Sequence, residues 1–325
     1  MSSSGSIGSL RARMTRCARA GGVLGGAGIA ALLIAGCGLG AGRTPGAVQL
    51  RVTEGFGARV LRSSSAPRVR GQETVMSLLV RNDTVSTRYG GGFVQSVDGH
   101  SGGTKGGDPV DWFYYVNGVE AGRGAAETNV HAGDRIWWDL HDWSQTEDVP
   151  AVVGSFPEPF LGGIEGKRLP VRVECSQPGS SSCATALAHL RAAGVPAALS
   201  AVSGVKTPNT LRVLVGPFAT IDKNPVAQSI EKGPRASGVY GRFSSDGGTL
   251  SLLDARGRVR RSLGAGAGLI AATRNGEDAP VWIVTGTDPA GASLAAHALS
   301  EASLKDRFAL ALAAPGHPVA LPDEG

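Results

Sequence analysis

Three observations predict an α+β fold with two sheet-containing domains. Residues 48–143 read as strand, strand, helix, strands; residues 169–314 alternate strands with helices; and 49 glycines in 325 residues supply many turns. This length suits two domains of ordinary size. A composition of 42% hydrophobic and 18% charged residues allows each a core.

The first domain opens with the alternation Val48, Leu50, Val52, a strand signal, and Gly55-Phe56-Gly57 predicts a hairpin into Ala58–Leu61. Val75, Leu78 and Leu79 share one helical face, so Gln72–Arg81 is expected to be a helix. Strands follow at Phe93–Val97 and Trp112–Val116, separated by a glycine-rich loop. Asn117-Gly118 is the strongest short hairpin signal, with Val119 starting the return strand, and Gly133-Asp134 turns into a strand at Arg135–His141.

Residues 144–168, with Pro150, Pro157 and Pro159, read as a linker or an extended wrap. The second domain, residues 169–314, predicts strands at Pro170–Glu174, Ala197–Val202, Leu211–Val215, Gly238–Phe243, Leu250–Leu253 and Val281–Thr285. Helices are expected at Ala184–Ala193, Pro225–Lys232, Leu269–Arg274 and Ser293–Ser300, with a last apolar segment at Phe308–Ala313. Residues 315–325 are expected to be a disordered tail.

The N-terminus is a leader in three parts. Arg11 to Arg19 form a positive region, Gly21–Ala35 an uncharged apolar stretch of 15 residues, and small residues then lead to Cys37. The stretch is shorter than the roughly 20 residues of a permanent membrane helix, so residues 1–36 read as a signal peptide. Leu33-Ile34-Ala35-Gly36-Cys37 resembles a bacterial lipobox, which implies cleavage before Cys37 and diacylation of its thiol. Two acyl chains suffice for stable anchoring. The expected location is therefore the extracytoplasmic face of a cell membrane, with the lipid bilayer as partner and residues 37–47 as a flexible tether.

The formal charge of +5 falls to +1 once the four arginines of the leader are removed, because residues 1–36 hold no acidic residue. So small a surplus of Lys and Arg argues against a nucleic-acid partner. Of four cysteines, Cys17 leaves with the leader and Cys37 carries lipid. Cys175 and Cys183 remain, an even pair in an oxidising compartment, with Pro178, Gly179 and four serines in the loop between them. A disulfide there would stabilise the chain by about 2–3 kcal/mol on the loop-entropy model; two buried free thiols are the alternative.

Asp111-Trp112-Phe113-Tyr114-Tyr115-Val116-Asn117-Gly118, followed by Gly133-Asp134-Arg135-Ile136-Trp137-Trp138, resembles the transcobalamin C-terminal-like domains, many of them on bacterial surface lipoproteins of unknown function. The resemblance spans residues 48–143 and implies a β-grasp-like fold. In transcobalamin this domain covers one face of bound cobalamin beside a large helical domain that is not visible here. Leu211-Arg212-Val213-Leu214-Val215-Gly216-Pro217-Phe218 resembles the core strand of SPOR-type peptidoglycan-binding domains, which implies a ferredoxin-like second domain.

Seven of the 17 aromatic residues fall within residues 112–143. Neighbours on a strand face opposite sides, so one set can be core while the other lies on a surface or under another element. Contact with a ligand or partner is therefore assigned to Trp112, Tyr114, Tyr115, Asn117, Trp137, Trp138 and Trp143, with packing between domains as the competing reading. Asp139, His141 and Asp142 near His131 fall short of a metal set and read as surface polar residues. No nucleophile–base pair, phosphate loop or dinucleotide fingerprint can be assembled. A non-enzymatic protein without cofactor or metal is expected, binding a small molecule (a cobalamin-like one included) or an envelope partner. The alternative is a structural envelope protein that binds peptidoglycan, a cell-wall component, through residues 169–245.

Overall fold

The computed structural model describes residues 47–203, 207–313 and 316–325, with only the backbone described for 64–68. The leader, Cys37 and nearly all of the tether lie outside the described residues. The described residues form one compact unit. The protein is an α+β structure, and none of its described helices is long and apolar enough to cross a membrane.

The first sheet is built from β1 (Ala47–Glu54) and β2 (Arg59–Arg68), joined by the Gly55–Gly57 turn. Helix α1 (Val75–Asn82) follows, with Thr74 as its cap. A small sheet of β3 (Val85–Arg88), β4 (Phe93–Val97) and β5 (His100–Ser101) comes next. The chain then returns through β6 (Gly103–Lys105), β7 (Asp108–Val116), β8 (Val119–Glu120) and β9 (Arg135–Asp142). The order is β2-β1-β9-β7-β6, with β1 parallel to β9 and the neighbouring pairs antiparallel. A helix inserted between two hairpins whose outer ends pair in parallel is the β-grasp arrangement. Val48, Leu50 and Val52 share a face with Ile136, Trp138 and Leu140, and bury it against Val75, Leu78 and Leu79 of α1.

The second sheet comprises β10 (Val171–Cys175), β11 (Ala197–Ala201) and β12 (Leu211–Pro217), with α2 (Ser181–Ala192) between the first two. Short helices α3 (Phe218–Ile221), α4 (Pro225–Gln228) and α5 (Pro234–Ser237) lead into a meander of β13 (Gly241–Phe243), β14 (Leu250–Leu253) and β15 (Val259–Leu263). The sheet resumes with β16 (Gly268–Thr273) and β17 (Val281–Gly286), passes helices α6 (Pro289–His297) and α7 (Glu301–Leu304), and ends with β18 (Ala309–Ala313) and β19 (His317–Leu321). Its order is β11-β10-β12-β17-β16-β18-β19. The first four strands are parallel and the rest antiparallel. Val213 and Val215 face α2 and α6, whereas Leu214 faces the meander and the first sheet, as the period of two requires.

Four expectations are corrected. The ferredoxin-like topology implied by the SPOR resemblance needs antiparallel neighbours, whereas β10, β11 and β12 run parallel. Leu269–Arg274 is not a helix: all six residues of β16 are buried, and a strand covered on both faces loses the alternation that marks strands. The expected disordered tail, residues 315–325, is ordered over its described residues 316–325, since β19 pairs along β18, Leu321 is buried and Asp323 forms an ion pair with Arg261. Residues 144–168 are not the linker but the extended wrap, the other reading of the sequence. Val149, Val152, Val153, Phe156 and Phe160 are buried, Val152 donates to the Gly118 carbonyl at 2.8 Å, and Val153 donates to that of Phe308 at 3.1 Å. The segment wraps from one sheet to the other.

Cys175 and Cys183 form a disulfide with 6.0 Å between their Cα atoms, tying the end of β10 to the first turn of α2. The two sheets meet at Phe308. Its ring is held edge-on by Phe56, Tyr115, Trp137 and His141, with centroids 5.2–5.4 Å away. Truncating such a side chain leaves a cavity, and we expect Phe308→Ala to cost about 3–5 kcal/mol. Urea denaturation followed by tryptophan fluorescence checks this; a loss below about 1 kcal/mol would show that the sheets hold together without it.

Candidate functional site

The β7–β8 hairpin turns at Asn117 and Gly118, both with positive φ (55° and 76°), as a tight two-residue turn requires. A side chain at Gly118 would also strike the Val152 carbonyl, so the turn sits flush against the wrapping segment. Tyr115 pairs across the hairpin with Glu120, and the two side chains therefore leave one face, the face turned to the second sheet. The Glu120 amide donates to the Pro150 carbonyl at 3.2 Å, and Val119 bridges Ala151. From the opposite side Arg274, just past β16, donates through Nη2 to the Glu120 carbonyl at 3.0 Å. The Glu277 carboxylate lies over Gly122.

These contacts frame a cleft of about 610 Å³ and an adjoining recess of about 310 Å³ at the junction of the two sheets. Cleft and recess share Glu120, Ala121, Gly122, Arg274 and Glu277. Val116, Val119 and Ile164 give the cleft an apolar wall. Burial pushes the Glu120 carboxyl up, and the Asp148 carboxylate adds to this. Arg274 and the Val149 amide only partly offset them, and the group titrates at about 7. A carboxyl poised there, in the wall of a concave pocket, marks this cleft as the candidate binding site.

None of the seven residues assigned to ligand contact from the sequence lines this cleft. Trp112 and Trp138 lie under α1, and Trp112 Nε1 donates to the His100 carbonyl at 3.1 Å. Tyr114 stacks on Trp138 at 4.9 Å and shares a hydrogen bond with Thr128. Tyr115 and Trp137 pack on Phe308 in the junction. The Asn117 amide donates to Asp134 at 2.8 Å and to the Gly163 carbonyl at 3.0 Å, which makes it a turn-fixing residue. Trp143 Nε1 donates to Asp111 at 3.0 Å. Packing between the sheets is thus the role the structure gives to the aromatic face of β7 and β9.

Asp139 and His141 are likewise not surface residues. Asp139 is fully buried and accepts from the Phe56 and Gly57 amides, each at 2.9 Å, from the Thr53 hydroxyl and from His141 Nδ1 at 2.9 Å. It pins the β1–β2 turn to β9. Among the described residues no group of three His, Cys, Asp or Glu side chains could hold a metal ion. Glu120, Asp148, Arg274 and Glu277 escaped the sequence reading because they converge from separate segments. The signal that could have found Glu120 is its place opposite Tyr115 across the Asn117-Gly118 turn, which sends a carboxylate to a buried face.

A family model described as a domain of unknown function (DUF4430) matches residues 72–142, from just before α1 to the end of β9. The match overlaps the stretch that resembles transcobalamin C-terminal-like domains. No curated protein matches the chain. Among solved structures, a candidate metal binding protein from Ruminococcus gnavus is similar at 15% identity and a TM-score of 0.24, over 30% of this chain and 96% of that one.

Glu120 also couples the site to stability. Between its ordinary value of 4.5 and about 7, the folded chain keeps a proton that the unfolded chain has released, so stability falls as pH rises through this window. At pH 8 the penalty is complete, at about 2–3 kcal/mol. We expect Glu120→Gln to be more stable than wild type by about 2 kcal/mol at pH 8 and indistinguishable from it near pH 4. Urea midpoints at the two pH values decide it, and equal midpoints at pH 8 would refute a buried, charge-averse carboxyl.

Proposed function

We propose that the protein is a membrane-anchored extracytoplasmic lipoprotein that binds a small solute in the cleft beside Glu120 and performs no chemistry on it. The cleft itself carries this reading. Its volume lies in the range typical of small-ligand pockets, and it combines an apolar wall with few, convergent polar groups. The leader and Cys37 support the anchor, since two acyl chains at that thiol would hold the folded unit close to a membrane surface. The match to a domain of unknown function is compatible with a binding role and specifies no ligand.

The geometry favours a compact solute over a corrinoid. In transcobalamin a broad ligand is covered by this type of domain, but here the aromatic face of β7 and β9 is covered by Phe308 and its neighbours. Peptidoglycan binding through residues 169–245 has less support, because β10 and β12 are interior strands of a sheet that continues to Leu321.

Two measurements test the reading. Ligand-observed NMR of the full-length protein in detergent, against a panel of amines, carboxylates, amino acids and sugars, should find binders that are lost in Gly122→Trp, a variant that fills the cleft. Millimolar silence across the whole panel would remove the binding role. Mass spectrometry of the mature N-terminus should show a diacylated Cys37, and an unmodified start elsewhere would remove the anchor.

A further inference from the structure

We propose that a second cleft, at the other end of β7, takes a neutral polyhydroxylated solute, a sugar or alditol, held by the Nε2 atom of His141. This site is separate from the cleft beside Glu120 and stands or falls independently of it.

The β1–β2 turn, the start of β7, the end of β9 and the β14–β15 turn enclose a cleft of about 460 Å³. That volume lies in the range typical of small-ligand pockets. His141 lines the cleft from β9, although the residue is only 2% exposed. Its ring cannot turn freely: Phe56 and Phe113 stack on it with centroids 4.5 and 4.4 Å away, and Phe308 meets it edge-on.

The hydrogen bonds decide which ring nitrogen carries the proton. Asp139 accepts from the Phe56 and Gly57 amides and from the Thr53 hydroxyl, which itself accepts from Trp137 Nε1. Both oxygens of that carboxylate are thus taken up as acceptors, so the 2.9 Å contact with His141 is a bond donated by Nδ1. In the neutral ring Nε2 then keeps a lone pair, on the side of the imidazole away from Asp139. Among the described residues no protein group bonds this nitrogen. A phenylalanine would stack equally well between Phe56 and Phe113. An imidazole locked by a buried carboxylate, with its second nitrogen left to a cleft, is a preset hydrogen-bond acceptor.

Such an acceptor requires an O–H or N–H donor, and the lining selects between them. Five carboxylates against three cations disfavour an anion. The pull on an organic cation is weak as well, because the carboxylates are largely satisfied within the protein. Glu54 accepts from Arg59 Nε at 2.7 Å, Asp108 from Arg256 Nε at 2.9 Å and Asp254 from Arg258 Nε at 2.8 Å. Glu324 accepts from the Ala255 amide at 2.9 Å. Hydroxyl groups both donate and accept, so a polyol can give one hydrogen to Nε2 and match the alternating donors and acceptors of the rim with the others. Phe56, Val110 and Leu140 supply apolar wall for its C–H groups.

The test uses full-length protein in detergent and three probes on one six-carbon skeleton: glucitol, gluconate and glucamine, which are neutral, anionic and cationic. Saturation-transfer NMR titrations should show glucitol binding at least fivefold more tightly than either charged probe. Ala58→Trp, an exposed change that fills the cleft, should abolish glucitol binding, whereas Gly122→Trp in the other cleft should leave it unchanged. His141→Phe keeps the stacked ring and removes the acceptor, and should weaken glucitol about tenfold. In the wild type, ring nitrogen spectra of His141 should show the proton on Nδ1 and a shift of Nε2 as glucitol is added. Should His141→Phe fail to fold, that shift and the Ala58→Trp variant carry the decision. Equal binding of a charged probe, glucitol affinity unchanged in His141→Phe, or an Nε2 that holds the proton would overturn the proposal. Glucitol lost in Gly122→Trp and kept in Ala58→Trp would overturn it too, by placing the solute beside Glu120. Silence of all three probes removes the His141 site and leaves the Glu120 cleft to its own test.

Discussion

Everything in this molecule depends on β9 being covered on both faces. Six of its eight residues are buried, including the neighbours Trp137 and Trp138, which point in opposite directions. A sheet with one solvated face would leave one of the two tryptophans in water. Here Trp138 lies in the core beneath α1, and Trp137 lies against Phe308 from the second sheet. The β-grasp unit is therefore half of a shared core, and the hydrophobic driving force that joins it to the second sheet is of the same kind that folds each half.

Burying the second face brings polar groups inward, and the structure satisfies them locally. Arg51, Thr53, Arg135, Asp139 and His141 all leave this face. Asp139 gathers two amides, a hydroxyl and an imidazole, Thr53 accepts from Trp137 Nε1 at 2.7 Å, and Arg51 pairs with Asp306. Arg135 reaches the Phe156 carbonyl at 2.7 Å and Glu301 at 2.6 Å. Unpaired, each would cost a few kcal/mol on burial. Paired, they fix the angle at which the sheets meet. Gly57, with φ of 83°, lets the β1–β2 turn approach the Asp306 backbone closely enough to complete that contact.

What the sequence made legible was local. The alternation of Val48, Leu50 and Val52, the Asn117-Gly118 turn and the short loop between Cys175 and Cys183 each predict a feature from neighbouring residues, and each forms. The order of elements sufficed for the α+β class, and the β-grasp-like fold was implied by the family resemblance of the Asp111–Gly118 and Gly133–Trp138 motifs. What failed was set by distant partners. Leu269–Thr273 has no alternation because β17 and β18 flank it and both its faces are covered. Residues 317–321 have little strand character of their own and are ordered by the exposed edge of β18. The aromatic cluster was visible, but its cover, Phe308, lies far along the chain with no local mark of that role.

The same constraint explains where the candidate site lies. Two sheets that pack through a central aromatic cluster cannot also touch along their full width, because twist carries their ends apart. The β7–β8 hairpin projects beyond the cluster, the wrapping segment crosses under it, and the β16–β17 turn faces it from the second sheet. The gap between them is the cleft, and Glu120 is the hairpin residue whose side chain must enter it, since Tyr115 has already committed that face to the junction. Largely removed from water, beside the Asp148 carboxylate and only partly compensated by Arg274, its carboxyl is pushed up to about 7. A cleft made by the packing of two sheets thus takes its perturbed carboxyl from a single position on the hairpin.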